Sequence, residues 1–290
     1  MAFANGFNGD QVSLGFILKT LEAKQYFIPG VSCNADVQVT ARGESAYYFK
    51  RSESSVGTGT VGAQLTYGSK GVVRQSIDMT SAIQIKAVIP YVNAATVSAD
   101  VVGDKVVQES ITAANKFNEL GVEFLDAYGD TDAALTTPLG IHKDIVSDYK
   151  YQRGTSDVKV VASVLFQAKK DFIVKNKAKN LKPSAILMGS ALVADMKTAN
   201  LLAYKEFTPG GSEALIGYFD GMAVIECPDL DASYEMIMLN DKAFGMPQNV
   251  NTLIVADGTP AGYPGGTIIG GEIGWGAEVC DPELILWLEA

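Results

Sequence analysis

The chain has 290 residues, 47% of them hydrophobic, which is enough for a sizeable buried core and for either two domains or one elaborate one. Its 33 acidic and 23 basic side chains leave a formal charge of −10, which argues against the basic footprint of a general nucleic-acid binder. Cys33, Cys227 and Cys280 are odd in number and widely separated, and His142 is the single histidine. Neither a disulfide framework nor a His/Cys zinc site follows, so reduced structural thiols are expected. No apolar run approaches the ~18 to 20 residues that span a bilayer, and MAFANGFNGDQ lacks a basic region followed by an apolar one. The protein is expected to remain in the cytoplasm where it is made.

In chain order, residues 1–36 have weak periodicity with Gly and Pro punctuation, which predicts an arm with a short helix near Val12 to Ala23. VQVTAR (Val37 to Arg42) and IQIKAVI (Ile83 to Ile89) alternate as strands do. The 41 residues between Ala41 and Ile83 exceed an ordinary hairpin connection, yet contain the strand-like pieces AYYF and QLTY. A long projecting hairpin is expected, and such a hairpin needs something to lie against. Within it, VGTGTVGAQ places Gly57, Gly59 and Gly62 at the spacing of a dinucleotide loop, with Asp78 near the position of a ribose-binding acid. A phosphate loop follows an apolar strand and opens a helix. Here YYFKRSESS turns polar before the glycines, and AQLTYGSKGVVRQ after them has no helical stripe.

Residues 99–128 predict a long helix, with Val102, Val106, Ala113, Phe117, Leu120, Phe124 and Tyr128 on one stripe. A polar connector carrying His142 follows. The next module reads as a helix (Val158 to about Lys177), a strand (Ala185 to Met188), a short helix (Ser190 to Thr198) capped by Ser190, a loop with Gly210 and Gly211, and strands Met222 to Cys227 and Tyr234 to Leu239. Lys169, Lys170, Lys175, Lys177, Lys179 and Lys182 crowd the end of its first helix and are expected to be a solvated helix C-terminus. NTLIVAD and the stretch from Thr267 onward alternate loosely and end in an apolar strand, as a sheet-paired terminus does.

Catalytic chemistry is not signalled. His142, flanked by Lys143 and Asp144, is expected to be exposed, and no nucleophile elbow, zinc-helix or phosphate-loop lysine pattern occurs. The pairs Asp130/Asp132 and Asp229/Asp231 lack the rest of a calcium loop and read as turn residues. Trp275 and Trp287 read as core or interface anchors. No enzyme activity, cofactor or metal is expected.

SAILMGSALVADMKTAN, then GYFDGMAVIECPDL and YEMIMLNDKAFG, together with the arm, the long hairpin and the long helix before them, resemble the major capsid proteins of tailed bacteriophages, the Hong Kong 97 fold. The resemblance runs over nearly the whole chain in order. It implies an α+β fold with an N-terminal arm (1–36), an extended hairpin loop with its base strands (37–92), a peripheral domain with the spine helix (93–157), an axial α/β domain (158–249) and C-terminal strands returning to the peripheral domain (250–290). It further implies that the extended loop contacts a neighbouring copy through Tyr47, Phe49, Arg51, Gly57, Gly59, Gly62, Lys70 and Arg74. The implied partners are further copies of the chain in pentamers and hexamers, a separate scaffolding protein, a portal and enclosed double-stranded DNA, with no membrane. The implied place is the virion, assembled in the host cytoplasm. Two alternatives remain: an encapsulin-type bacterial compartment, which has a similar fold, and a small nucleotide-binding α/β enzyme.

Overall fold

A computed structural model describes residues 23–39, 45–51, 72–90, 101–151, 158–201, 203–204, 213–230, 234–258 and 266–289. The alternating segments of the first third form strands, but not with the partners their pattern suggests. β1 (Val37–Val39) pairs antiparallel with β2 (Ser45–Arg51), and β2 pairs antiparallel with β3 (Val72–Asp78), in unbroken register from Ser45↔Asp78 to Arg51↔Val72. β4 (Ser81–Pro90) follows after Met79 and Thr80 and joins a different sheet, whose order is β12 (Gln248–Gly258), β13 (Gly266–Trp275), β4. VQVTAR and IQIKAVI therefore do not share a sheet. Burial explains the split: Ile85 and Ala87 of β4 pack with Ile269 and Ile273 of β13, whereas Ala46, Tyr48 and Ile77 form a separate cluster with Met79 and Cys280. The expected helix near Val12 lies outside the described residues, apart from Ala23 and Lys24, which are helical; QLTY and residues 40–42 lie outside them too.

The long helix α1 spans Val101–Ala133, 33 residues, and so runs five residues past its expected end. At 1.5 Å per residue it is about 50 Å long. Its buried line is rotated from the expected stripe. Val106, Ala113 and Phe117 are buried as expected, but Leu120, Phe124 and Tyr128 sit on the shoulder, and Ala114, Asn118, Gly121 and Leu125 take the centre. The two non-apolar members have physical reasons. Asn118 accepts from the Tyr26 N–H through Oδ1 and donates to the Lys24 carbonyl through Nδ2, both at 2.8 Å, so one amide replaces a strand partner for the arm. Gly121 leaves room for the Phe27 ring and the Met246 sulfur, which a Cβ there would overlap.

The remaining strands build a seven-stranded sheet of order β5 (Ile141–Asp144), β15 (Ile285–Glu289), β10 (Tyr234–Leu239), β6 (Ala185–Met188), β9 (Met222–Glu226), β8 (Leu215–Phe219), β7 (Ala203–Tyr204). Helices α2 (Val158–Lys175) and α3 (Ser190–Thr198) accompany it, and the short strands β11 (Phe244–Gly245) and β14 (Glu278–Val279) pair with each other. β6 and four of the five residues of β15 are fully buried, which is why AILM and ILWL read as apolar runs rather than alternations. Four expectations are corrected. The polar connector contains β5, which pairs parallel with β15. The strand β8 was not expected at all. Gly189, not Ser190, occupies the N-cap of α3, without a side-chain cap. Finally, β13 does return to β4, but the C-terminal strand β15 enters the seven-stranded sheet between β5 and β10, because its apolar side chains need cover on both faces.

Gly121→Ala tests the seating of the arm on α1. The added methyl collides with Phe27 and Met246, so a loss of ~1–3 kcal/mol is expected in chemical denaturation, with the fold retained.

Candidate assembly surface and its anchorage

Successive residues of a strand point to opposite faces, so β2 presents Tyr47 and Phe49 on one side and Ala46 and Tyr48 on the other. The first side is open. The Tyr47 and Phe49 rings meet edge to face at 5.7 Å, and Phe49 remains 41% exposed. Arg74 of β3 lays its guanidinium 4.0 Å over the Tyr47 ring, and the Tyr47 hydroxyl donates to Gln38 Oε1 at 2.6 Å. Three of the residues expected to contact a neighbour, Tyr47, Phe49 and Arg74, thus form one aromatic and cationic cluster. Gln38 completes it and was not foreseen, because nothing in VQVTAR tells which strand lies beside it. Arg51 stands opposite Val72 at the open end of the β2–β3 ladder. Gly57, Gly59, Gly62 and Lys70 lie outside the described residues. The elements flanking those glycines are two strands antiparallel to each other, not the strand and helix that a phosphate loop joins.

The opposite side fixes this sheet to the body. Ala46, Tyr48 and Ile77 are buried with Met79 and Cys280, and Val37 packs against them. Gly245 lets Ile77 and Cys280 approach, and a Cβ at Gly276 would strike the backbone of Asp78. Burial pushes the Cys280 thiol up to about 12, with Glu278, Asp281 and Asp36 adding to it against Lys50. Burial likewise raises Cys33 and Cys227, and all three cysteines are buried free thiols, which matches the structural role read from their spacing.

A second cluster ties the far end of α1 to the seven-stranded sheet. Asp132 lies in α1, not in a turn, and its buried carboxylate accepts from the N–H groups of Leu139 at 3.0 Å and Gly140 at 2.8 Å and contacts His142 Nε2 at 2.9 Å. His142 is not an exposed connector residue. Only 12% of its side chain is accessible, and its ring stacks on Trp287 at 5.0 Å and 2°. From the other side Lys175 donates to the carbonyls of Leu139 and Gly140. Burial opposes ionisation of Asp132, but the hydrogen bonds from His142, Gly140 and Leu139 outweigh it and hold the carboxyl below the usual range. Asp130, also in α1, accepts from the Tyr234 hydroxyl at 2.8 Å.

The lysine group is likewise more than a solvated helix end. Lys169 pairs with Asp220 at 2.6 Å, and Lys179 bridges Asp281 at 2.6 Å and Glu283 at 2.5 Å, while Lys170, Lys177 and Lys182 are exposed. Asp229 does occupy a turn; Asp231 lies outside the described residues. Trp287 is a core residue, and half-buried Trp275 meets Phe117 edge to face at 6.5 Å.

This arrangement is the fold of phage capsid proteins. The chain is similar to the capsid of cyanophage P-SCSP1u, with a TM-score of 0.58 and 17% identity over 91% of this chain and 89% of that one. It is similar to the mature capsid of bacteriophage PhiM1, with a TM-score of 0.56 and 11% identity over 92% and 87% of the two chains. It is also similar to the virus-like particle from Pyrococcus furiosus, with a TM-score of 0.57 and 12% identity over 96% and 98%. No protein-family model and no curated protein sequence matches the chain.

Asp132→Asn tests the second cluster. A carboxyl whose folded pKa is depressed contributes stability that is present above its unfolded value of about 3.9 and lost as pH falls through the folded value. The variant is therefore expected to lose ~1.5–3 kcal/mol at pH 7, the range for hydrogen bonds to a charged group. The gap between variant and parent should close as both are acidified below about pH 4, and urea melts at the two pH values check it.

Proposed function

We propose that the protein is a structural capsid subunit that associates with copies of itself into an icosahedral phage head enclosing double-stranded DNA. The observation that carries this reading is the likeness of fold to phage capsid chains over about nine-tenths of both partners. On this reading β2 and β3 are the base of the extended loop, α1 is the spine helix of the peripheral domain, and α2, α3 and strands β6 to β10 form the axial domain, to whose sheet β5 and β15 are added from the flanking ranges. The ranges are 1–36 for the arm, 37–92 for the loop, 93–157 for the peripheral domain, 158–249 for the axial domain and 250–290 for the closing strands.

The role is geometric rather than catalytic. Each copy lays the Tyr47, Phe49 and Arg74 face of its hairpin, together with Arg51, Lys70, Gly57, Gly59 and Gly62, across the next copy, and repeated heterologous contacts close the shell. At ~25 cal/mol per Å², burying 1,000 Å² of apolar surface per copy contributes a gross ~25 kcal/mol before association entropy is subtracted. A separate scaffolding protein and a portal complete the set of partners. A second reading, a protein-filled compartment, is supported by the likeness to the Pyrococcus furiosus particle, which covers 98% of that chain. The contents of purified particles distinguish the two: nucleic acid supports the head, and a co-purifying protein cargo supports the compartment.

The hairpin supplies the direct test. Arg51 and Val72 are register partners, so replacing residues 52–71 by Asn-Gly closes β2 on β3 with a two-residue turn. The variant is expected to keep the helical circular dichroism and melting temperature of the parent, while electron microscopy shows no regular shells. Normal shells from this variant would remove residues 52–71 from the assembly contact, and an unfolded variant would place them in the subunit's own core.

A further inference from the structure

The hairpin between β8 and β9 turns on Asp220 and Gly221, with Phe219 and Met222 as register partners. Their φ angles of 47° and 81° are both positive, as in a type I′ turn. Asp-Gly is also the dipeptide whose backbone isomerises most readily, because glycine offers the preceding carboxyl a nitrogen that no side chain shields. The approach is open here. Both residues are exposed, and a Cβ on Gly221 would meet nothing within 4 Å. What restrains the carboxyl is Lys169 of α2, whose ammonium donates to the Asp220 carbonyl oxygen at 2.7 Å and to Asp220 Oδ2 at 2.6 Å. In the planar peptide the carbonyl oxygen and the Gly221 nitrogen lie on opposite sides of the Cα–C axis. A carboxylate that shares one ammonium with the carbonyl oxygen is therefore turned away from that nitrogen.

We propose that Asp220–Gly221 is a site of isoaspartate formation that Lys169 holds closed. In the reaction the Gly221 nitrogen bonds to Asp220 Cγ and gives up its proton, and the carboxyl hydroxyl leaves as water, closing a succinimide ring. Water then enters at either ring carbonyl. Entry at the former side-chain carbonyl restores aspartate; entry at the main-chain carbonyl breaks its bond to nitrogen and leaves the chain running through Cβ and Cγ. One water leaves and one is added, so no other reactant is consumed. The isomer carries an extra methylene in the main chain of a turn whose length sets the pairing of its strands. The strand that follows is β9, which lies between β6 and β8 and has Met222 to Ile225 buried. The damage would fall on the core, although the reaction occurs at an exposed turn.

The test incubates folded protein at pH 7 in water enriched in heavy oxygen. Each opening of the ring leaves one heavy oxygen on residue 220, and electron-transfer fragmentation of the peptide separates isoaspartate from aspartate. Lys169→Met removes the ammonium and keeps an unbranched stem, while Phe219 still meets Phe166 of α2 at 5.1 Å and keeps the hairpin seated. Label at residue 220 is expected about three- to tenfold faster in folded Lys169→Met than in the parent, between the worth of a surface ion pair and that of a charged hydrogen bond. Lys169→Arg, which keeps a cation, and Lys170→Met, which removes an exposed charge one position on, should label near the parent's rate. In concentrated urea all four chains should label alike, because the restraint exists only in the fold. Equal rates in the folded parent and folded Lys169→Met overturn the inference, as does a Lys170→Met that labels as fast as Lys169→Met. A difference that persists in urea overturns it too. Should circular dichroism show Lys169→Met unfolded, Lys169→Gln takes its place and the same outcomes are read from it.

Discussion

The dipeptide Leu139–Gly140 has both of its N–H groups on the Asp132 carboxylate and both of its carbonyls on the Lys175 ammonium. These four backbone groups sit just before β5, and opposite charges from two different helices satisfy them. A buried charge is costly unless it is hydrogen-bonded and matched, and here each charge meets the requirement of the other through one peptide segment. Gly140 is bare because Trp287 lies on it, and a Cβ there would overlap the indole and approach Asp132 Oδ2. Trp287 in turn donates to the Leu125 carbonyl at 3.3 Å, stacks on Tyr128 at 6.2 Å and lies flat on His142. One indole therefore touches the long helix, the edge strand and the loop between them. The direction in which α1 leaves the seven-stranded sheet depends on this knot.

The arm is held by two ion pairs, Lys24 with Glu213 and Asp36 with Lys242, and by neutral amides. Asn118 clasps Lys24 and Tyr26, and Asn34 clasps Met246, donating to its carbonyl at 3.0 Å and accepting from its N–H at 2.6 Å. Each asparagine amide copies the donor and acceptor pair of a strand, which lets a segment with no ladder of its own lie buried against helix and sheet. Asn34 adopts a φ of 59°, a conformation that asparagine tolerates better than most residues, and this turns the arm toward β1. The arm is thereby continuous with the core cluster around Phe27 and Phe244, whose rings lie 5.2 Å apart.

Local pattern was legible where the pattern is itself the cause. Ala185–Met188, Ser190–Thr198 and Tyr234–Leu239 have the bounds expected of them, since an apolar run covered on both faces and a short amphipathic helix are decided by their own residues. Pairing was not legible. IQIKAVI alternates equally well for either neighbour, and only the complementary burial of Ile269 and Ile273 assigns it to β13. Of the candidate surface, Tyr47, Phe49 and Arg74 converge because a period of two puts Tyr47 and Phe49 on one face and the register sets Arg74 opposite Phe49. The knot at Trp287 was invisible for a different reason. Asp132, His142 and Lys175 each carry a polar side chain in a polar stretch, so composition reads them as solvent-facing. What brings them together is the turn after α1, which returns Leu139, Gly140 and His142 to Asp132, and the distant contacts of His142 with Trp287 and of Lys175 with Gly140. Polar residues that replace backbone partners leave no periodic trace.

The exposed aromatic face of β2 stands against the chain's own charge. Copies that each carry a formal −10 repel one another at long range, yet with a Debye length of ~8 Å at physiological ionic strength most of that repulsion is screened before two surfaces touch. What decides association is then the local chemistry of the touching patches. At the hairpin that chemistry is favourable: Tyr47 and Phe49 offer apolar area already partly ordered by their edge-to-face contact, and Arg74 is held over Tyr47 so that little rotamer freedom remains to be lost. On the proposed assembly reading, a surface preorganised in this way binds through short-range burial, while the net charge opposes contact elsewhere. Assembly through it should therefore grow stronger as salt is added across the physiological range, whereas a shell held mainly by ion pairs between copies would loosen.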